Sequence, residues 1–281
     1  MTTLSHTPTD LTISPRDRAH GKAAIPARWW LRGDPVATAV LNAFSGTFPE
    51  GERFFIESVV AFKARVEEPL KSQVKQFVRQ EAMHTREHIA FNESVTGAGY
   101  DVTGIEARTV GRLAIARTRH PVAQIAVTVA MEHFTAMIAH ALLSNPKLLE
   151  GAVAETGDLW RWHSVEEIEH KSVAFDVYMA ATKTLSPFKR WMIRSQIMML
   201  ATNNFARSMS ANIADLLRQD GLDPKKERWR TLAMFFGRTG LFAGQLGHYL
   251  AFYLPGFHPW KHDDRALIAK YDTATPMLAA A

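Results

Sequence analysis

The chain has 281 residues, of which 47% are hydrophobic and 22% charged, enough for one large domain with a real core or one domain with an appendage. It has no cysteine, which excludes disulfides, thiolate metal sites, iron–sulfur clusters and cysteine nucleophiles, and leaves any metal to His, Asp and Glu. The net charge of +5 is uneven: residues 183–238 carry eleven Lys/Arg against four Asp/Glu, a pattern suited to anionic lipid, nucleic acid, an acidic partner or a solvated helix surface.

Residues 1–33 read as a loose, polar arm, broken by Pro8 and Pro15 and lacking an apolar leader, so the expected location is cytoplasmic, with a peripheral inner-membrane place as the variant. Helical periodicity follows almost throughout. Asp34-Pro35 opens a short helix to about residue 44, and Pro49 a longer one to about residue 66. Further helices are expected at 70–95, 105–118, 121–143 and 153–184, then at 187–219 and 224–250. Residues 255–281 read as a coil-like tail. The fold class is therefore all-α: a bundle over 34–185, additional helices over 186–254 packed on it as one domain, and the two end segments.

Ionisable residues interrupt the apolar stripes of four of these helices. The first stripe reads Phe48, Glu52, Phe55, Val59 and Phe62; the second reads Val74, Phe77, Glu81, His84, His88 and Phe91. The third runs Ile125, Val129, Glu132, Ala136 and Ala139, and the fourth Trp160, His163, Glu167, His170, Ala174 and Val177. Four carboxylates in one core are prohibitive without compensation, and no Lys or Arg lies on these stripes. Two divalent ions would close the charge, minus four from Glu52, Glu81, Glu132 and Glu167 against plus four. The register agrees, because Glu52 stands 16 residues before Glu68 while Glu81 and His84 stand 13 and 16 after it.

A glutamate from each of two helices with Glu-x-x-His from each of two others is the di-iron carboxylate arrangement of ferritin-like four-helix bundles, with residues 97–120 as the crossover. The metal-ligand set is thus Glu52, Glu81, His84, Glu132, Glu167 and His170, with His163 favoured as a seventh member over a core histidine. His88 is favoured as a supporting residue. Glu166, Glu169 and His133 fall off the stripes as solvated or inter-helix residues. Arg53 and Arg86 are surface residues first and anchors for an anionic substrate second.

Asn42-Ala43-Phe44-Ser45, Phe48 to Phe55, Gln80 to His84, Glu132 to Thr135 and His163 to Lys171 resemble a bacterial family labelled predicted metal-dependent hydrolase. The Pro255 to Trp260 segment fits as well, so the resemblance covers about residues 20–265. The run from His163 to His170 is also similar to the fourth-helix motif of p-aminobenzoate N-oxygenases, ferritin-like di-iron enzymes with a third histidine ligand. That likeness implies His163 as a ligand and oxygen chemistry.

The leading expectation is an O₂-activating di-iron oxygenase or oxidase of a small organic substrate, served by an external electron donor because no nucleotide- or flavin-binding loop is visible. The alternative is a two-metal hydrolase, with manganese or zinc in place of iron. A non-catalytic iron-binding protein is the third reading. No nucleic-acid partner is expected. Residues 231–254 are apolar and include Gly240-x-x-x-Gly244, which suggests a core or homodimer helix first and membrane-surface contact through 231–260 second.

Overall fold

The described residues of the computed structural model, 7–18, 20 and 27–274, form an all-α molecule with no strand; its nearest approach to sheet is an isolated bridge between Leu31 and Ala152. In chain order the helices are α1 (Pro35–Ser45), α2 (Phe48–Val60), α3 (Leu70–Gly97), α4 (Thr103–Arg117), α5 (Pro121–Ser144) and α6 (Ala154–His170). There follow α7 (Val173–Ala181), α8 (Pro187–Gln219), α9 (Arg228–Phe236), α10 (Leu246–Ala251) and α11 (Arg265–Ala274). Polar caps followed by proline set several starts, since a proline in the first turn gives up no helical hydrogen bond. Asp34 accepts from the N–H groups of Val36 and Ala37, His120 from Val122 and Ser186 from Lys189.

α2 packs along α3 and α5 along α6, and contacts of α2 with α5 and of α3 with α6 close the group of four. Two apolar clusters fill it. One, with Trp30, Phe44, Phe91, Trp160 and Leu216, occupies one end, and the other, with Phe54, Phe77, Ile125 and Val177, occupies the opposite end. Burying each such side chain is worth about 1.5–3 kcal/mol, so both ends are strongly held. Along α3 the second cluster ends at Phe77 and the first begins at Met83. Glu81 and His84 fall where the two meet. α5 is the one described helix long and apolar enough to cross a membrane, but more than half of its most apolar stretch is buried inside the protein.

The structure corrects several boundaries. The helix expected over 153–184 is two, because α6 ends at His170 and α7 begins at Val173. Lys171 anchors that turn: its Nζ donates to Asp264 Oδ2 at 2.6 Å and to the His262 carbonyl at 2.7 Å, over the Trp260 ring. The helix expected over 224–250 is also two, short and separated by turns over 237–245. Gly240 therefore sits in a turn, not at a helix-packing face. A Cβ there would lie 2.8 Å from the Phe235 carbonyl carbon and oxygen, so only glycine lets the chain fold back over the end of α9. Part of the expected coil-like tail, 265–274, is helical, while residues 275–281 lie outside the described residues. The arm is not loose where it is described, since Ile13 and Arg16 are buried; residues 1–6, 19 and 21–26 lie outside the described set.

Trp229, Phe236, Leu246, Leu250 and Leu254, all on or beside the short helices after α8, are exposed.

Candidate metal centre

Four helices bring seven sequence-predicted donors to one level. Glu52 comes from α2, Glu81 and His84 from adjacent turns of α3, and Glu132 from α5. His163, Glu167 and His170 come from successive turns of α6, where spacings of four and three keep them on one face. None of the seven is more than 4% exposed. His163 Nε2 lies 2.9 Å from Glu167 Oε1, and His84 Nδ1 lies 3.7 Å from that same oxygen. His170 Nε2 lies 3.1 Å from Glu81 Oε1 and 3.6 Å from both Glu132 Oε2 and Glu167 Oε2. Three donor sets have atoms within 4.8 Å of one another: Glu52 with His84 and His163, Glu81 with His84 and Glu167, and Glu81 with Glu132 and His170. Glu81 and Glu167 thus stand between His84 and His170.

Almost every buried polar atom in a folded protein has a hydrogen-bond partner. Eight atoms here have none: Oε1 of Glu52, both carboxylate oxygens of Glu81 and of Glu132, Oε2 of Glu167, Nδ1 of His84 and Nε2 of His170. They converge from four helices. Cations bound among them would satisfy these atoms, and the donor types, carboxylate oxygen and imidazole nitrogen, suit iron, manganese or zinc.

The outer ring nitrogens support the same reading, because a ligating histidine is held by a hydrogen bond from its far nitrogen. Gln80 Nε2 donates to Glu169, so Gln80 Oε1 accepts from His170 Nδ1–H at 3.0 Å, and His170 Nε2 faces the donors. Asn92 Nδ2 donates to the Ser45 carbonyl and its Oδ1 accepts from Ser45 Oγ–H, leaving Ser45 Oγ to accept from His88 Nδ1–H. His88 Nε2 then accepts from His163 Nδ1–H at 2.7 Å, which turns the Nε2 lone pair of His163 toward Glu167. His84 is held in the same manner by Glu166 Oε2, 3.1 Å from its Nε2. Thr85 Oγ1 fixes Glu52 by donating to its Oε2 at 2.9 Å.

The electrostatics of the metal-free molecule are those of a group of carboxylates short of positive charge. Burial, with the neighbouring Glu81, holds the Glu52 carboxyl well above the usual range, and burial with Glu167 does the same to Glu132. Glu81 is raised by burial, against the opposing pull of His170. For Glu167 burial also acts upward, yet the charge and hydrogen bond of His170 outweigh it and its pKa falls well below normal. His170 is the counterpart: burial opposes its charge, but Glu167, Glu81 and Glu132 raise it well above the ordinary imidazole value. His84 and His88 are pushed well down by burial and by His163. Among the described residues, no Lys or Arg forms an ion pair with any of the four glutamates.

Sequence reading missed Arg16. From an arm without helical pattern it enters the core at 5% exposure and donates from Nη2 to Glu169 Oε1 at 2.7 Å and from its backbone N–H to Glu166 Oε1 at 2.6 Å. Its carbonyl accepts from Trp162 Nε1. Glu166 and Glu169, expected off the stripes as solvated or inter-helix residues, are buried at 0% and 2%. From Trp162 to His170 α6 is covered on every side, so the face away from the donors meets Arg16 instead of water. Burial raises Glu166 to about 8, against the lowering effect of Arg16. No local signal marks Arg16. The clue was the run Glu166-Glu167-x-Glu169, too acidic for one buried helix without an added cation.

The remaining candidates lie outside the donor group. His133 packs edge-on against Phe257, and its pKa falls through burial to about 3. Arg53 pairs with Glu50, and Arg86 with Asp17 and Glu87.

A family model described as predicted metal-dependent hydrolase matches residues 14–263 of this chain, a span that contains all seven donors and Arg16. No match was found among curated proteins or among solved structures.

Proposed function

Because the chain belongs to the family of predicted metal-dependent hydrolases, we propose that its buried glutamates and histidines hold two divalent ions and that the reaction they support is hydrolysis. Glu52, His84 and His163 would serve one ion, Glu132 and His170 the other, with Glu81 and Glu167 shared between them. The observation that carries this reading is the convergence of eight unpartnered buried atoms on one place. When bound, such a pair lowers the pKa of a water and neutralises charge developing on an ester or phosphate.

The chain's own contribution is positioning. Glu166, Gln80 and His88 fix the ring planes of His84, His170 and His163, and Thr85 fixes one oxygen of Glu52. Phe48, Phe77 and Trp162 lie with ring centroids 4.7–5.0 Å from His88, His163, His170 and His84, so bulk water is kept from the far sides of the imidazoles.

A second reading is supported by the ligand pattern itself: paired Glu-x-x-His helices with a third histidine, His163, as in an O₂-activating di-iron enzyme of a small organic substrate. One experiment separates them. Protein purified without oxygen is analysed for metal, exposed to O₂ while its near-ultraviolet spectrum is recorded, and assayed on ester and phosphate substrates with manganese or zinc. Hydrolytic turnover with a spectrum indifferent to O₂ supports the hydrolase. An iron content of two per centre and a new near-ultraviolet band would replace it with the oxidase.

A further inference from the structure

Outside the buried centre, the end of α5 and the segment before α11 bring a second set of metal-ligand side chains together. His140 Nδ1 lies 2.8 Å from Asp264 Oδ1, His262 Nε2 lies 3.1 Å from the same oxygen, and the two nitrogens are 3.4 Å apart. Three donors at a zinc-type ion with bonds of about 2.0–2.1 Å stand about 3.3–3.4 Å from one another in a tetrahedral site. The observed triangle needs only a slight opening to reach that size. The other oxygen of Asp264 accepts from Lys171 Nζ at 2.6 Å, which fixes the carboxylate so that Oδ1 faces both imidazoles.

We propose that His140, His262 and Asp264 form a separate mononuclear site for a divalent ion of the zinc type. Two imidazoles and one carboxylate match a zinc site with an open fourth position. Here that position faces a cavity of about 250 Å³, in whose wall the His248 ring lies 3.8 Å from that of His262, centroid to centroid. The fourth donor is therefore His248 or a water. The site is reachable from solvent, because His140 and His262 are 25% and 41% exposed while Asp264 is 5% exposed. Without an ion, Asp264 Oδ1 accepts from both imidazole N–H groups, so an ion there would require each ring to carry its proton on its other nitrogen. The ion would tie residues 262–264 to α5 and, through Asp264 and Lys171, to the turn that follows His170.

Zn²⁺ is the probe. The full chain is stripped with a chelator, dialysed to equilibrium against micromolar Zn²⁺ and analysed for bound metal, alongside E81Q/E132Q, H140A and H262A. E81Q/E132Q disables the buried centre and should keep one Zn²⁺. H140A and H262A should each lose that ion, with affinity down by more than about 100-fold, beyond the loss expected from removing an outer partner alone. Co²⁺ in place of Zn²⁺ should give visible absorption bands in E81Q/E132Q that H262A, added to it, removes. Unchanged Zn²⁺ stoichiometry and affinity in both single-histidine variants would overturn the proposal whatever the buried centre binds. A wild type that binds only the ion lost in H140A and H262A would leave this site standing while refuting the dinuclear one.

Discussion

Glu132 shows at the level of one residue how function opposes stability. Both of its carboxylate oxygens are buried without a partner, and nothing but burial and other acids surrounds it beyond His170. Glu132→Gln removes a charge that the metal-free fold must otherwise neutralise. It should raise the metal-free melting temperature, by roughly 0.5–2 kcal/mol of stability, while sharply reducing the stabilisation that added metal gives the wild type. Differential scanning calorimetry with and without metal checks both halves. Arg16 makes the opposite case. Arg16→Ala leaves Glu166 and Glu169 without their cation and should cost about 3–5 kcal/mol, with Arg16→Lys losing less, measured by urea unfolding. Both variants should also weaken metal binding, because Glu166 holds His84 and Glu169 holds Gln80 against His170. The pH dependence follows from Glu52, Glu81 and Glu132, whose folded pKa values are raised. Their contribution is fully present below the usual carboxylate range and is lost as pH rises through the raised values. The metal-free protein should therefore melt lower at about pH 8 than at about pH 5.5, and the gain on adding metal should be larger at the higher pH. A metal-induced shift that shrinks as pH rises would contradict the assignment of these groups.

At the scale of elements, the donor-bearing helices were legible and the connections were not. Glu52, Glu81, His84, Glu132, His163, Glu167 and His170 could be placed because each interrupts an apolar stripe at helical spacing, and the structure brings all seven together. The break after His170 could not, since Lys171-Ser172 carries no helix-breaking residue and the turn is held by Asp264, more than ninety residues away. The burial of Glu166 and Glu169 was hidden for a like reason: it depends on an arm whose own sequence has no period. The split between α9 and α10 was signalled by Gly237, Gly240 and Gly244, though an apolar composition made one helix the simpler reading. Gly240→Ala tests the turn. Its Cβ would press on the Phe235 carbonyl, so the variant should lose about 1–3 kcal/mol in thermal or urea unfolding, whereas Gly247→Ala, with open space around it, should cost little.

For the whole molecule, two apolar ends clamp a polar waist. The clusters around Trp160 and around Phe77 supply the stability that lets four helices hold unpartnered acids between them. Hydrogen bonds from Glu166, Gln80 and His88 orient the histidine rings without metal, so that binding should need little rearrangement. On the proposed function, the waist holds two ions. A crystal of metal-loaded protein, with data collected at the absorption edge of the bound metal, tests it most directly. Two anomalous peaks are expected, about 3.5–4 Å apart and enclosed by Glu52, Glu81, His84, Glu132, His163, Glu167 and His170. A well-ordered, metal-soaked crystal with no peak among these residues would contradict it.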